Sequence, residues 1–329
     1  MKILALVPVR NDAWILEHSL RCWSGFCDAI IVSDQDSTDG SREIYRRFPK
    51  VVVLENPRTT VVTGLPQQAR WRLLDAARQY DGNNLLWCTD ADELTPPTFA
   101  RAFFDRHHSE LTPRRVIECR FYNLWHSEKS YREDLSLYGP HWKPMGFVDD
   151  RRVDYPRDPE RRPLHEPRMA IETDAKALRA EDIPVLHLQW LIWNRNQLKQ
   201  AWYRCVELMN GRKTALELNE LYQLTLPEWY VHTAPLPAEW LNDVTMPSAA
   251  EADRQPSWHE AEMRRWFDER GIEFFERLEI WHVPSLGREF RRRTGRNPRP
   301  DRSYRPPASV RAAQLGRRVF NAVRRRLTP

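Results

Sequence analysis

Four short apolar runs punctuate the first part of the chain, Lys2–Val9, Asp28–Ser33, Val51–Leu54 and Leu85–Thr89, and each is brief enough to be a buried strand. The stretches between them have helical character. Asp12 can cap a helix in which Trp14, Ile15, Leu20 and Trp23 fall at helical spacing, Ser41–Phe48 is helix-like, and Gln67–Tyr80 forms a further helix carrying Arg70 and Arg72. Strands that alternate with helices in this order imply a mainly parallel sheet, because parallel neighbours require a crossover and the crossover helix buries its apolar stripe on the sheet. The expected fold class is α/β: a Rossmann-like, mainly parallel sheet with flanking helices, followed by an α-helical C-terminal appendage.

Polar residues and acids collect where the runs stop. The first ends in Pro8-Val9-Arg10-Asn11, the second in Asp34-Gln35-Asp36-Ser37-Thr38-Asp39-Gly40, and the fourth in Asp90-Ala91-Asp92-Glu93. Open α/β sheets bind ligands in the crevice beyond the carboxyl ends of their strands. Two aspartates one residue apart are costly to neutralise with protein groups alone, so a divalent cation, itself held by a substrate's phosphates, is their natural partner. The alternative is a solvated strand-to-helix loop with Glu93 near a helix N-terminus.

Composition narrows the class further. A chain of 329 residues with 41% hydrophobic and 29% charged residues describes a soluble globular protein able to bury a full core. It has no apolar run of ~18 residues, and its apolar start is too short for a signal peptide, so a cytoplasmic protein is expected. The five cysteines are odd in number and form no Cys-x-x-Cys pair, which argues against a disulfide framework and a structural zinc site. Charge is unevenly spread: Arg288–Pro329 holds 14 arginines and no lysine against Glu289 and Asp301, a surplus of twelve, so the net +5 of the whole chain leaves −7 on the remainder. A basic tail on an acidic body points to an anionic surface as partner, or to a solvated tail. Ser309 can cap a helix to about Leu327 with Ala312, Gly316, Val319, Phe320, Val323 and Leu327 on one face and Arg311, Arg318 and Arg325 on the other, a pattern suited to an anionic membrane interface or to docking on protein.

The series Val7-Pro8-Val9-Arg10-Asn11-Asp12, then Val32-Ser33-Asp34-Gln35-Asp36-Ser37-Thr38-Asp39-Gly40, then Asp90-Ala91-Asp92-Glu93 resembles family 2 glycosyltransferases of the GT-A fold, over roughly residues 1–125. The resemblance is to members of the Arg-Asn-Glu type linked to bacterial surface glycan synthesis. It implies that Pro8, Arg10, Asn11 and Asp34 hold the nucleoside of a nucleotide-diphosphate sugar, that Asp90 faces the ribose, that Asp92 holds Mn²⁺ or Mg²⁺, and that Arg70 lies beside the nucleotide. For Asp34 a turn-stabilising role stands beside the ligand role, and for Arg10 a surface ion pair. An acid, Asp36, occupies a position where many members carry glycine. The turn should be kept, since Asp tolerates left-handed backbone.

Inverting transfer needs a base within reach of the acceptor hydroxyl. The candidates are Asp149, Asp150 and Glu166, with Glu166 favoured because Leu164-His165-Glu166 resembles a recurrent family segment; a loop ion pair in this arginine-rich region is the other reading of the two aspartates. His187, within Pro184-Val185-Leu186-His187-Leu188-Gln189-Trp190, is either a hydrogen-bonded core residue or the late histidine that such enzymes add to the metal. Some of the 14 tryptophans can stack on sugars, although most should be core. The organisation expected is a nucleotide-sugar-binding part at 1–125, an acceptor-side part at 126–235, a helical appendage at 236–296, and a Pro/Arg linker with a basic amphipathic helix at 297–329. A metal-dependent inverting glycosyltransferase with a glycan or lipid-linked acceptor follows. The alternative is a nucleotide-binding or nucleotidyltransferase-like module, against which stands the lack of any Gly-x-Gly-x-x-Gly or Walker A pattern. A nucleic-acid partner is not expected, since arginine is confined to a Pro-rich tail.

Overall fold

The computed structural model describes residues 1–55, 65–134, 136, 138–155, 168–170, 176–223, 231–254 and 257–301. The chain divides into two compact units, Met1–Asn196 with His232–Trp258, and Gln197–Val231 with His259–Pro329.

In the first unit the four apolar runs become strands. In chain order the elements are β1 (Ile3–Val9), α1 (Ala13–Ser24), β2 (Ala29–Asp34), α2 (Ser41–Tyr45), β3 (Val51–Glu55), α3 (Leu65–Ala77) and β4 (Leu85–Cys88). They are joined by β5 (Glu93–Leu94), α4 (Pro97–Arg106), β6 (Val116–Asn123), β7 (Ser130–Arg132), β8 (His141–Val148) and β9 (Ala177–His187). The eight-stranded sheet has the order β3-β2-β1-β4-β8-β6-β9-β5. β3, β2, β1 and β4 are mutually parallel, which is the half read from the alternation of strands and helices. β8 then runs antiparallel between β4 and β6, and β9 returns parallel to β6.

Every residue of β2 and β4 is buried, and so is most of β1, as expected of parallel strands covered on both faces. Trp23, Phe26, Trp87 and Phe104 pack on one face, with Phe26 and Phe104 edge-on to Trp87 at 5.7 and 5.9 Å. Leu73, Leu74 and Ala77 of α3 cover the other face together with Tyr155 and Met169.

Two local expectations change. Asp12 holds the N-cap position of α1 without capping it; the bond comes instead from Asp39, whose Oδ2 accepts the Ala13 N–H at 2.8 Å. Glu93 does not sit at a helix N-terminus. It begins β5, pairing antiparallel with His187.

The second unit is helical, built from the end of α5 (Trp193–Met209), α6 (Ala215–Leu221) and, after β10 (Thr233–Pro235) and α7 (Ala249–Arg254) of the first unit, α8 (Trp258–Arg270) and α9 (Pro284–Thr294). A capping box starts α6: Thr214 Oγ1 accepts the Glu217 N–H at 3.3 Å and Glu217 Oε2 accepts the Thr214 N–H at 2.7 Å. Trp266, Phe267, Phe275, Trp281 and Phe290 form its interior. The first arginines of the basic region belong to this unit. Arg292 and Arg293 hold Glu289 at 2.6 and 2.5 Å, and Arg296 pairs with Glu273 at 3.1 Å and with Glu276. The helix expected at 309–327 lies outside the described residues. Among the described residues no helix is long and apolar enough to cross a membrane.

Candidate active site

The carboxyl ends of β1 and β2 are tied into one surface. Val9 and Asp34 are register partners, and Pro8 lies beside Ser33. Just past β1, Asn11 adopts a left-handed backbone with φ 52°; its N–H donates to Ser37 Oγ at 3.0 Å and its Oδ1 accepts the Thr38 N–H at 2.7 Å. Asp36 has φ 55°, so the expected left-handed turn is kept with an acid at this position. Asp34 is fully buried, and both of its oxygens are engaged within the protein: Oδ1 by the Ser37 N–H at 3.0 Å and Arg42 at 3.2 Å, Oδ2 by the Tyr45 hydroxyl at 2.9 Å. The turn-stabilising role is therefore the one seen for Asp34. Burial and then the Asp34 charge push the Tyr45 hydroxyl far above its ordinary pKa, which keeps it a donor. The Arg10 guanidinium stacks on Trp258, 3.9 Å from the ring centroid.

Beyond β4 lies a row of charged groups. Arg70 of α3 donates to Asp90 Oδ1 at 2.5 Å, and Arg168 Nη2 lies 3.1 Å from Asp90 Oδ2. Arg168 also grips both oxygens of Glu93, one at 2.5 Å, and donates to the Cys88 carbonyl at 3.0 Å. Glu93 further accepts from the Thr89 hydroxyl at 3.1 Å, the Asp90 N–H at 3.0 Å and Lys143 Nζ at 3.3 Å. Burial alone would raise the pKa of both carboxyls, but Arg168, with Arg70 at Asp90 and Lys143 at Glu93, outweighs it, and both are held below the usual carboxylate range. Burial lowers the Lys143 pKa, with Glu93 opposing.

The third cluster joins Asp92 to His187, residues far apart in the first unit's sequence. Asp92 is 8% exposed, its carbonyl accepts the Leu188 N–H at 2.8 Å, and its Oδ2 lies 3.6 Å from His187 Nε2. On the other side of the ring, His187 Nδ1 is 2.6 Å from Asn123 Oδ1, while Asn123 Nδ2 donates to the Tyr138 carbonyl at 2.8 Å. That second bond assigns the amide orientation, so Nδ1 donates to Asn123 and Nε2 is the nitrogen turned toward Asp92. A histidine oriented through its distal nitrogen, facing a carboxylate, is how metal-binding imidazoles are commonly held. Among the described residues no three His, Cys, Asp or Glu side chains cluster for a metal, so substrate oxygens and water must complete the shell of any cation held by this pair.

Two of the proposed bases, Asp149 and Asp150, are not brought to this end of the sheet. Val148 pairs with Leu85, the first residue of β4, so Asp149 and Asp150 follow β8 out at the amino end of the parallel strands, about 10 Å of strand from Cys88. There Asp149, 4% exposed, takes Arg78 with two bonds of 2.9 Å and accepts the Arg151 N–H at 3.0 Å, while Asp150 accepts the Arg152 N–H at 2.9 Å. The ion pair accounts for Asp149, and neither aspartate faces Asp92. Glu166 lies outside the described residues.

Four residues escaped the sequence: Arg168, Lys143, Asn123 and Trp258. Only Arg168 stands near a segment the sequence singles out, two residues after Glu166, and each of the four arrives through pairing or packing. Glu93 had a local signal, its place directly after Asp92 in the acids that end the fourth run.

No known family profile matches the chain, and no curated protein does. Among solved structures, S. aureus TarS residues 1–349 is similar with a TM-score of 0.35 and 15% identity, over 87% of this chain and 83% of that one. A 4-diphosphocytidyl-2C-methyl-D-erythritol synthase gives a TM-score of 0.30 and 15% identity over 45% of this chain and 75% of that one. Glucosyl-3-phosphoglycerate synthase from Mycobacterium tuberculosis, in a structure with Mn²⁺, UDP and glucosyl-3-phosphoglycerate, gives 0.26 and 18% over 37% of this chain and 44% of that one.

Proposed function

We propose that this chain is a metal-dependent, inverting glycosyltransferase of GT-A, family 2 type, moving a sugar from a nucleotide-diphosphate sugar to a glycan or lipid-linked acceptor. The observation that carries the reading is the Asp92–His187 pair, 3.6 Å apart with Asn123 fixing the imidazole, at the carboxyl end of parallel strands. Asp92 Oδ2 and His187 Nε2 would hold Mn²⁺ or Mg²⁺, which supplies Lewis-acid stabilisation to the diphosphate. Asn11 and the Asp34–Gly40 turn shape the nucleoside floor, with Arg10 held against Trp258 at its edge. Asp90 is positioned toward the ribose by Arg70 and Arg168, which keep it ionised as a hydrogen-bond acceptor. Glu166, two residues before Arg168 in sequence, is retained as the base that takes the acceptor proton. Residues 309–329 are assigned to an anionic membrane surface, the enzyme acting as a peripheral protein on the inner face of the cytoplasmic membrane; the eight arginines beyond Asp301 supply the charge.

The deciding experiment screens nucleotide sugars with Mn²⁺ by thermal shift and follows hydrolysis of those that stabilise the protein. Metal-dependent release of a nucleoside diphosphate, abolished in Asp92→Asn, supports the reading. Release of pyrophosphate from a nucleoside triphosphate would replace it with nucleotidyl transfer. For the tail, deletion of residues 309–329 should weaken binding to vesicles rich in anionic lipid, and unchanged binding refutes that assignment.

A further inference from the structure

Arg70, Asp90, Arg168, Glu93 and Lys143 form a row of alternating sign in which each group touches the next. Three cations face two carboxylates, so the row carries one surplus positive charge. Glu93 does not need Lys143 for neutralisation: it already has both terminal nitrogens of Arg168, the Thr89 hydroxyl and the Asp90 N–H. Both ends of the row also have donors to spare. Arg70 is 7% exposed, yet its Nη1 is buried without a hydrogen-bond partner. The Lys143 ammonium has three donors and among the described residues spends one on Glu93, and its side chain is 30% exposed.

The position of Lys143 is specific. Its Nζ lies 3.9 Å from the centroid of the Phe121 ring, which also has the His187 ring as a neighbour at 4.9 Å. Sheet register puts Phe121, Asn123, Lys143, His187 and Glu93 on one face: Lys143 pairs with Cys119, Asn123 with His187, and Glu93 with His187. A surplus cation with unused donors, one aromatic ring away from the metal pair, calls for an anion.

We propose that Lys143 is the protein's own contact for the departing phosphate of the donor. This rests on the glycosyltransferase reading and names the residue that stabilises its leaving group. When the anomeric C–O bond breaks, its electron pair stays on the phosphate oxygen, and the charge that grows there meets an ammonium already fixed by Glu93 and Phe121. No proton and no further reactant is required of Lys143.

The test uses the full chain and inorganic pyrophosphate, titrated calorimetrically at fixed Mn²⁺. Lys143→Met keeps the stem that packs on Phe121 and removes the charge; loss of one charged hydrogen bond should weaken pyrophosphate binding about 10- to 100-fold. Lys143→Arg should recover binding to within about fivefold, and Mn²⁺ binding without pyrophosphate should match the wild type in both variants. Should the Met variant not fold, Lys143→Gln reads the same loss. Wild-type pyrophosphate affinity in the charge-free variant overturns the proposal alone. A wild-type protein that binds neither Mn²⁺ nor pyrophosphate overturns the glycosyltransferase reading and the subsite with it.

Discussion

Replacing Arg168 by Met tests how the charged row is held together. The guanidinium is 10% exposed and Glu93 only 1%, so the variant strands a buried carboxylate with Lys143 at 3.3 Å, the Thr89 hydroxyl and one N–H. Removing one partner of such a buried pair costs about 3–5 kcal/mol. The unit concerned comprises Met1–Asn196 and His232–Trp258. At about 2.1 cal/mol/K per residue, its unfolding entropy of roughly 0.5 kcal/mol/K converts that cost into a fall in Tm of about 6–10 °C. Circular dichroism melts at pH 7 measure it. The pH dependence carries a second signature. The folded-state pKa of Glu93 is depressed, so its contribution is present above the ordinary carboxylate pKa and is lost as pH falls; the gap between wild type and variant should therefore shrink below about pH 4. Combining Arg168→Met with Glu93→Leu should restore about 2 kcal/mol or more relative to the single variant, because the Glu93 carboxylate is then no longer buried without its guanidinium partner. A single-variant shift under about 2 °C, or a gap that is the same at pH 3 and pH 7, refutes the reasoning.

Further outcomes follow from the same geometry. Asn123→Ala frees the His187 ring without removing a ligand, and Mn²⁺ affinity measured by calorimetry should fall about 10- to 100-fold while Asp92→Asn abolishes it; an unchanged affinity in Asn123→Ala would mean that the ring is not a ligand. Asp149→Asn should lower stability by about 1–3 kcal/mol through the half-abandoned Arg78, yet leave Mn²⁺ and pyrophosphate binding as in the wild type. Loss of either affinity would show that the aspartate communicates with the site after all. At Asp36, with φ 55°, a change to Val should destabilise by about 1–2 kcal/mol in urea titrations and a change to Gly should not, since only the β-branched residue resists the left-handed turn.

The parallel half of the sheet, β3-β2-β1-β4, was legible because its information is local: an apolar run of strand length, a helix of matching period and a turn former lie adjacent in sequence. The same holds for the acids that end β2 and β4, and for the left-handed Asp36. What the tertiary structure decided is which partner each of those acids meets. Asp34 and Asp92 look alike in sequence, but one is enclosed by Tyr45, Arg42 and Ser37 while the other meets His187. Asp149 looked available and is spent on Arg78, because antiparallel β8 carries it to the wrong end of β4. Lys143, Asn123 and Arg168 carry no motif, and their roles come from strand pairing and packing across tens of residues. Strand formation depends on a few neighbouring side chains, and so the sequence alone determined the parallel half of the scaffold. An electrostatic site depends on which distant strands share a face, and that is settled only when the sheet closes its register.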